Sequence, residues 1–209
     1  MNSKAVVIGY SGHAYVLLDM LMNNHIEILG YCEAKEKEQN PYRLRYLGHE
    51  LDEQVIDILK ANQCYLGVGD NKVREKIFQS LLRRGVAMPH LIYLDAVISP
   101  LAQIGSATVV MPGVVINSMV SIGNGVICNS ACVIEHECII EDYAHIAPGA
   151  VLTGNVKIGA RSFVGANAVV KQGVTVGANV VIGAGAVVIK DVEDNSMIYG
   201  NPARKKVNE

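Results

Sequence analysis

Residues 98–188 read, in blocks of six, ISPLAQ IGSATV VMPGVV INSMVS IGNGVI CNSACV IEHECI IEDYAH IAPGAV LTGNVK IGARSF VGANAV VKQGVT VGANVV IGAGAV V. Every block opens with Ile, Leu or Val, except the one that opens with Cys128. The residue two places before each of these positions is never larger than Val, as at Ala96, Thr108 and Val180. An apolar period of six fits neither an α-helix nor a plain strand, so it indicates short strands joined by tight turns.

A second period of 18 residues is superimposed on the first. Gly105, Gly123, Gly159 and Gly177 each follow an aliphatic position, and Glu141 replaces glycine once in this series. Three short strands per 18 residues close one triangular coil, whose aliphatic side chains stack along the axis as a core. The hexapeptide pattern therefore predicts an all-β left-handed parallel β-helix with a C-terminal cap over residues 94–209.

Residues 1–93 lack this period and alternate between strand and helix patterns, which predicts a Rossmann-like α/β domain with a parallel sheet. The polar stretch at 35–45 is expected to be a loop. The predicted strands are AVVIG (5–9), EILGYCEA (27–34), CYLGVGD (64–70) and VAMPHLIY (86–93). The predicted helices are HAYVLLDMLMNN (13–24), DEQVIDILKANQ (52–63) and NKVREKIFQSLLRRG (71–85).

The composition restricts the class of partner. A net charge of −2 over 209 residues offers no basic surface for nucleic acid. The first residues, MNSKAVVIGYSG, do not follow the order of an export signal, and nowhere do 18 apolar residues run together. Five cysteines agree with a reducing compartment. We therefore expect a cytoplasmic protein without membrane insertion.

Two glycine-containing turns follow predicted strands of the α/β domain, at residues 9–13 (GYSGH) and 67–71 (GVGDN). The carboxyl ends of parallel strands form the ligand crevice of such sheets. The first turn places Ser11 and Gly12 at a helix N-terminus, which favours phosphate. The alternative is that glycine only permits a tight turn, because the dinucleotide fingerprint GxGxxG is absent.

The β-helix pattern is interrupted on its outer side by NSACVIEHEC at residues 129–138 and by His145. His136 and His145 are the two histidines of the repeat region and both are expected to point outward. The neighbouring Glu137 could hold the His136 imidazole in one tautomer, as a general base requires. A metal site is not expected, because the inward-pointing Cys128 and Cys132 cannot converge with an outward side chain.

Several segments together resemble the PglD/NeuD-type sugar acetyltransferases. They are the GxSGH turn, the unbroken hexads, the IEHE, HIAPGA and TGNVKIG segments and the closing YGNPAR. Within that group the chain is most similar to the N-acetyltransferases that act on UDP-linked 4-amino-4,6-dideoxy sugars in the bacillosamine pathway, for bacterial glycan or glycoprotein synthesis.

The resemblance implies a homotrimer with active sites between adjacent β-helices, acetyl-CoA as co-substrate, no metal, and a UDP-amino sugar bound by residues 1–93. It makes His136 the base that deprotonates the 4-amine and Glu137 the residue that raises its basicity. The remaining residues bind the substrates. For the nucleotide-sugar these are Ser11, Gly12, His13, Glu33, Gly69 and Asn129, and for acetyl-CoA they are His145, Gly154, Ala166 and Ala184.

The chain departs from the pattern of its relatives at two places. Glu33 and Ala34 stand where relatives often carry an Asp pair that meets the nucleotide, so one acceptor remains there. Tyr93 stands where relatives commonly carry His.

Four alternatives stay open on the sequence. The same scaffold and histidine could serve O-acetylation of a sugar such as sialic acid, or N-acetylation of another nucleotide-amino sugar of the GDP-perosamine type. A hydratase of the γ-carbonic anhydrase type needs three His ligands per zinc, and the repeat region holds two histidines. A purely structural assembly module would leave His136 and Glu137 without a role.

Overall fold

The computed structural model describes residues 4–205. The chain divides into two compact units, Met1–Leu91 and Ile92–Glu209. The boundary lies two residues before the one expected from the sequence. It falls inside the first strand of the β-helix, Leu91–Ile92.

The first unit contains a parallel sheet in the order β3-β2-β1-β4, which is the doubly wound arrangement expected from the alternating pattern. Its strands are β1 Ala5–Ile8, β2 Ile28–Cys32, β3 Tyr46–Gly48 and β4 Gln63–Leu66. Its helices are α1 Gly12–Asn23, α2 Glu53–Lys60 and α3 Asn71–Arg83. Every residue of β1 is buried, as a central strand covered on both faces requires.

Two features of this unit differ from the sequence prediction. Strand β3 was not foreseen, because its three residues are too short to show a period. The strand predicted over residues 86–93 is wrong except for Leu91–Ile92. Ala87 O accepts one hydrogen bond from Cys64 N at 3.0 Å, but Pro89 lacks the N–H that a continued ladder would need.

The second unit is the β-helix, built from two-residue strands separated by turns. These strands are β5 Leu91–Ile92, β6 Val97–Ile98, β7 Gln103–Ile104, β8 Val109–Val110, β9 Val115–Ile116, β10 Ser121–Ile122, β11 Ile127–Cys128, β12 Val133–Ile134, β13 Ile139–Ile140, β14 His145–Ile146, β15 Val151–Leu152, β16 Lys157–Ile158, β17 Phe163–Val164, β18 Val169–Val170, β19 Thr175–Val176, β20 Val181–Ile182 and β21 Val187–Val188. Strands β22 Met197–Tyr199 and β23 Arg204–Lys205 close the described part of the unit.

The strands stack in parallel on those one coil away, so that, for example, Ile134 lies opposite Ile116 and Leu152. Within residues 4–205 the stacking forms sheets in the orders β19-β16-β13-β10-β7, β20-β17-β14-β11-β8-β5 (extended by β22 and β23) and β21-β18-β15-β12-β9-β6. From Val109–Val110 to Val187–Val188 the second residue of each strand is buried in the core. The inward prediction for Cys128, Cys132 and Cys138 is confirmed, because all three are fully buried.

The turns between strands follow one backbone rule. From Ala107 to Gly185 the second residue of each turn has a positive φ, supplied by glycine at Gly149 but by larger residues at Glu137 (φ 61°) and Tyr143 (φ 60°). Such a conformation disfavours bulky side chains, yet the repeated ladder on both sides holds it. His136, the first residue of its turn, is exposed at the edge of the β-helix.

One outer face of the β-helix carries an unbroken column of valines, which we call the valine face. It is the outward side of the sheet β21-β18-β15-β12-β9-β6. Its members are Val97, Val115, Val133, Val151, Val169 and Val187. Val97 is 63% exposed and the other five are half-buried. The equivalent outward positions on the sheet β19-β16-β13-β10-β7 include Gln103, Ser121, Lys157 and Thr175 and are mostly polar.

Candidate functional site

The turn after strand β12 carries the predicted base. His136 Nδ1 and Glu137 Oε2 are 3.0 Å apart, and both side chains are about half exposed (50% and 56%). An ionised carboxylate can only accept, so the proton of this bond belongs to Nδ1 and the lone pair to Nε2. The pair therefore presents Nε2 as a proton acceptor at the surface, as a general base requires.

Gly154 occupies the same turn position as His136, one coil further along. A Cβ built on Gly154 would lie 2.5 Å from His136 Cε1 and 2.6 Å from Nε2, so the imidazole lies directly over the Gly154 backbone. Asn155 N, in the same turn, donates to His136 O at 2.8 Å. The absence of a side chain at Gly154 is thus what makes room for the ring.

His145 lies on the outer side of strand β14, close to Asn129. Asn129 Nδ2 is 3.0 Å from His145 Nε2, and Ser130 N donates to Asn129 Oδ1 at 2.8 Å. Phe163, the register neighbour of His145 on strand β17, packs edge-on against the imidazole with ring centroids 5.0 Å apart. Sequence reasoning missed Phe163, whose 18-residue spacing from His145 is the signal that could have found it.

The predicted residues of the β-helix form two groups on one chain. His136, Glu137 and Gly154 lie in turns that follow strands of the valine face, whereas Asn129 lies in a turn that precedes such a strand. Ala166 and Ala184 lie in turns equivalent to that of Asn129, further along the coils. The valine face lies between the two groups, so a single chain does not gather them.

In the first unit, a cleft of about 410 Å³ lies at the carboxyl ends of strands β1 to β4. Of the predicted ligand-binding residues, Ser11, Glu33 and Gly69 line it. The nearly buried Glu50 and its neighbour His49 also line it, after strand β3. Sequence reasoning missed them because β3 was not predicted. Gly12 and Ser11 line a more open hollow of about 570 Å³ beside residues 35–39.

The carboxylate of Glu33 is held by the backbone of its own unit. Oε1 accepts from Ala34 N at 2.9 Å, and Oε2 accepts from Tyr10 N at 3.2 Å and lies 3.4 Å from Lys37 Nζ. Burial raises the pKa of Glu33, but these hydrogen bonds and the charge of Lys37 outweigh it, so the pKa lies below its usual range. Glu33 is therefore an ionised acceptor that also fixes the first glycine turn.

The two glycine turns differ at the helices that follow them. At α3, Asp70 accepts from Val73 N at 2.9 Å and so caps the helix with its own carboxylate. At α1, Ser11 has an extended backbone and its side chain makes no capping hydrogen bond. An anion is favoured at the N-terminus of α1 and opposed by Asp70 at that of α3.

His13 does not line the cleft. It is mostly buried, its Nε2 has no hydrogen-bond partner, and burial followed by the charge of Arg74 lowers its pKa to about 4. Arg74 is itself buried and donates from Nη1 to Val68 O at 3.2 Å and Gly69 O at 2.9 Å. Arg74 thus shapes the second glycine turn. An arginine on an amphipathic helix gives no sequence signal of burial.

No three His, Cys, Asp or Glu side chains converge as a metal site would require in the part of the chain from residue 4 to residue 205. Within the same residues, no helix has the length and apolar character needed to span a bilayer.

Comparison with known proteins gives matches to both units. Residues 4–81 match the PglD N-terminal domain, and residues 155–190 match the hexapeptide repeat of succinyl-transferase. A GDP-perosamine N-acetyltransferase from Escherichia coli O157:H7 is 34% identical over 101 residues, which is 48% of this chain and about half (46%) of that protein's length.

Two solved structures match over nearly the full length of the chain. One is a mutant of perosamine N-acetyltransferase from Caulobacter crescentus in complex with CoA and GDP-perosamine (30% identity, TM-score 0.93, covering 100% of this chain and 99% of that one). The other is the acetyltransferase domain of PglB from Neisseria gonorrhoeae FA1090 in complex with acetyl coenzyme A (32%, TM-score 0.92, 99% and 100%). The chain, with its α/β unit followed by a left-handed β-helix, belongs to the PglD/NeuD-type sugar acetyltransferases of the hexapeptide-repeat acyltransferase family.

Proposed function

We propose that the chain transfers the acetyl group of acetyl-CoA to the 4-amino group of a UDP-linked 4-amino-4,6-dideoxy-N-acetylhexosamine. The observation that carries the proposal is the bond between His136 Nδ1 and Glu137 Oε2, which presents Nε2 as the proton acceptor. An amine that attacks a thioester must lose a proton, and no metal is needed for this step. Full-length likeness to two sugar acetyltransferase structures supports the same reaction class.

The reaction balances with the residues of the chain. The amine nitrogen bonds to the thioester carbon while His136 Nε2 takes the amine proton. The carbonyl oxygen becomes an oxyanion, for which the backbone N–H of Gly154 and the ring of His145 are the proposed donors. The C–S bond then breaks, and the proton passes from His136 to the sulfur of CoA.

The proposed active unit is a homotrimer. The His136 and Asn129–His145 groups lie on opposite sides of the valine face, so packing one chain against the next could bring the His136 group of one together with the His145 group of its neighbour. A heterologous contact of this kind closes into a ring when the rotation fits. The half-buried Val115, Val133 and Val151 provide the apolar surface for it.

The nucleotide-sugar is proposed to bind the first unit. The uncapped N-terminus of α1 suits the diphosphate, and the cleft that Glu33 and Glu50 line suits the hydrogen-bond donors of the ribose or base. We place the reaction in the cytoplasm, in keeping with the five free cysteines.

Acceptor selectivity tests this proposal. Purified protein with acetyl-CoA is offered a UDP-linked 4-amino sugar, GDP-perosamine and sialic acid, and CoA release is measured together with product mass. The UDP sugar should give the highest kcat/KM and a product that survives hydroxylamine, as an amide does and an ester does not. A higher kcat/KM for GDP-perosamine would show that the proposed nucleotide is wrong. A product that hydroxylamine cleaves would show that the enzyme acetylates a hydroxyl group and not an amine.

The role of the base is tested in the same assay. His136→Ala should lower kcat by roughly 10²–10⁴, and Glu137→Ala should lower it less. Gln172→Ala, at the equivalent turn position two coils after His136, serves as the control and should keep wild-type turnover. If His136→Ala keeps near-normal turnover, His136 is not the base.

A further inference from the structure

The contact between Asn129 and His145 determines where the proton of the His145 ring lies. A backbone N–H can only donate, so the Asn129 atom that faces Ser130 N at 2.8 Å is the amide oxygen. The other terminal atom, 3.0 Å from His145 Nε2, is therefore the NH₂ group, which can only donate. This orientation follows from the Ser130 bond, so an amide flip does not arise.

Because an NH₂ group donates to Nε2, that nitrogen must carry the lone pair. We propose that Asn129 is a positioning residue that holds His145 as the neutral Nδ1–H tautomer, so that Nδ1 is the single donor nitrogen of this ring. It is the opposite of the tautomer that free neutral histidine favours. A ring protonated at both nitrogens would face the Asn129 NH₂ group with a second donor and lose the bond.

The surroundings of the ring support a fixed orientation. Phe163 packs edge-on against the imidazole, and strand β14 holds the His145 backbone between strands β11 and β17. Asn129 N donates to Ile146 O at 2.9 Å, so the residue that sets the tautomer is tied to the strand that carries His145. The donor at Nδ1 thus has a set direction before any ligand binds, which is the preorganisation that an oxyanion donor needs.

The tautomer itself is independent of the proposed function, and only its use toward the acetyl thioester rests on that function. In the trimer proposed above, the Nδ1–H of His145 would donate to the oxygen of the acetyl thioester, while the His136 of the neighbouring chain takes the proton of the amine. Asn129 would then act through His145 and not as the nucleotide-sugar ligand that the resemblance implies.

The test is a long-range ¹H–¹⁵N correlation spectrum of the full chain labelled at histidine nitrogens, recorded near neutral pH without substrates. The His145 signals are identified by their loss in His145→Gln. Wild-type His145 should show a protonated Nδ1 and an unprotonated Nε2. A protonated Nε2 in this spectrum would overturn the proposal.

Two Asn→Asp variants of the β-helix extend the test. Asn129→Asp puts an acceptor in front of Nε2, so His145 should change to the Nε2–H or the doubly protonated form. Asn179→Asp, whose Oδ1 already accepts from Arg161 Nε at 2.8 Å, should leave the His145 signals unchanged. An unaltered tautomer in folded Asn129→Asp would contradict the proposal. If that variant does not fold, the wild-type spectrum decides alone.

Activity measurements separate this proposal from the proposed function. Asn129→Asp should lower kcat at least about tenfold through loss of the oriented donor, with the KM for the nucleotide-sugar little changed. Unchanged turnover of Asn129→Asp would overturn the positioning role of Asn129, whereas acetyl transfer by the wild type would still support the proposed function. Conversely, failure of acetyl transfer in the wild type would reject the function and leave the spectrum as an independent measurement.

Discussion

Each side chain of the β-helix that is proposed to be functional occupies a set place in a turn or strand, and that place determines what the side chain contacts. His136 is the first residue of its turn, so its ring reaches the equivalent position of the next coil, where Gly154 leaves the space open. Glu137 follows with a positive φ and turns its carboxylate back to Nδ1. Three residues in two coils thus fix the orientation of the proposed base.

Gly154→Ala tests this arrangement. The new Cβ would lie 2.5 Å from His136 Cε1, so the ring must move away from its bond with Glu137. We expect a loss in kcat of roughly ten- to a hundredfold, within the range of a misplaced general base, with a melting temperature close to that of wild type. Turnover equal to that of the control Gln172→Ala would show that the position of the ring over Gly154 does not matter.

His13 gives a pH dependence of stability. Its pKa in the folded chain is about 4, against an ordinary value of 6.5, because burial disfavours the charged ring. Between these two pH values the unfolded chain binds a proton that the folded chain does not, so stability falls as the pH is lowered through this window. Above pH 6.5 neither state is protonated and the effect is absent.

The slope from this one residue can reach about 1.4 kcal/mol per pH unit. Urea unfolding followed by tyrosine fluorescence between pH 7.5 and 4.5 should show a shallower decrease for His13→Gln than for wild type. The same slope in both proteins would assign the pH dependence to other groups.

At the level of elements, α1 and α3 both begin after glycine turns, yet their N-termini differ. Asp70 caps α3, whereas the side chain of Ser11 does not cap α1. Gly12, the first residue of α1, has nothing within 4 Å of a built Cβ and a φ outside the positive region. Packing within the first unit therefore does not require glycine there, and an effect of replacing it would report on a ligand.

Gly12→Val should fold normally and raise the KM for the nucleotide-sugar, because the branched side chain blocks approach to the helix N-terminus. The KM for acetyl-CoA should stay near wild type, since that substrate is proposed to bind the β-helix. Lys72→Val, at the exposed second residue of α3, is the control and should change neither value. If Gly12→Val folds and its KM for the nucleotide-sugar is unaltered, the phosphates of that substrate do not bind at the N-terminus of α1.

At the level of the whole molecule, the proposed trimer depends on the valine face. Val151→Asp would place a charge at a half-buried apolar position and should convert trimers into monomers with little acetyl transfer. Thr175→Asp, at the outward position of another sheet, should remain trimeric. Light scattering after size-exclusion chromatography measures both. A monomeric wild type at micromolar concentration would rule out a site shared between chains.

Regular repetition explains how much of the fold could be predicted. The period of six recurs over about ninety residues, so each repeat indicates the same lengths of strand and turn. The β-helix and the inward direction of its cysteines could therefore be predicted from the sequence. Strand β3 and the end of the last predicted strand did not, because three residues carry no period and because Pro89 interrupts the ladder. At the boundary between the two units, the local sequence pattern predicts a strand but does not determine which sheet that strand joins.

The sequence by itself determined the left-handed β-helix, the α/β unit before it, and the adjacent pair His136 and Glu137, since each rests on neighbours along the chain or on a repeat. Only the tertiary structure decided that Gly154 makes room for His136, that Asn129 meets His145, that Arg74 is buried and that His13 is mostly buried. These contacts join residues on different coils or on different elements. Their distances depend on how the backbone stacks and packs, which no local pattern of residue types encodes.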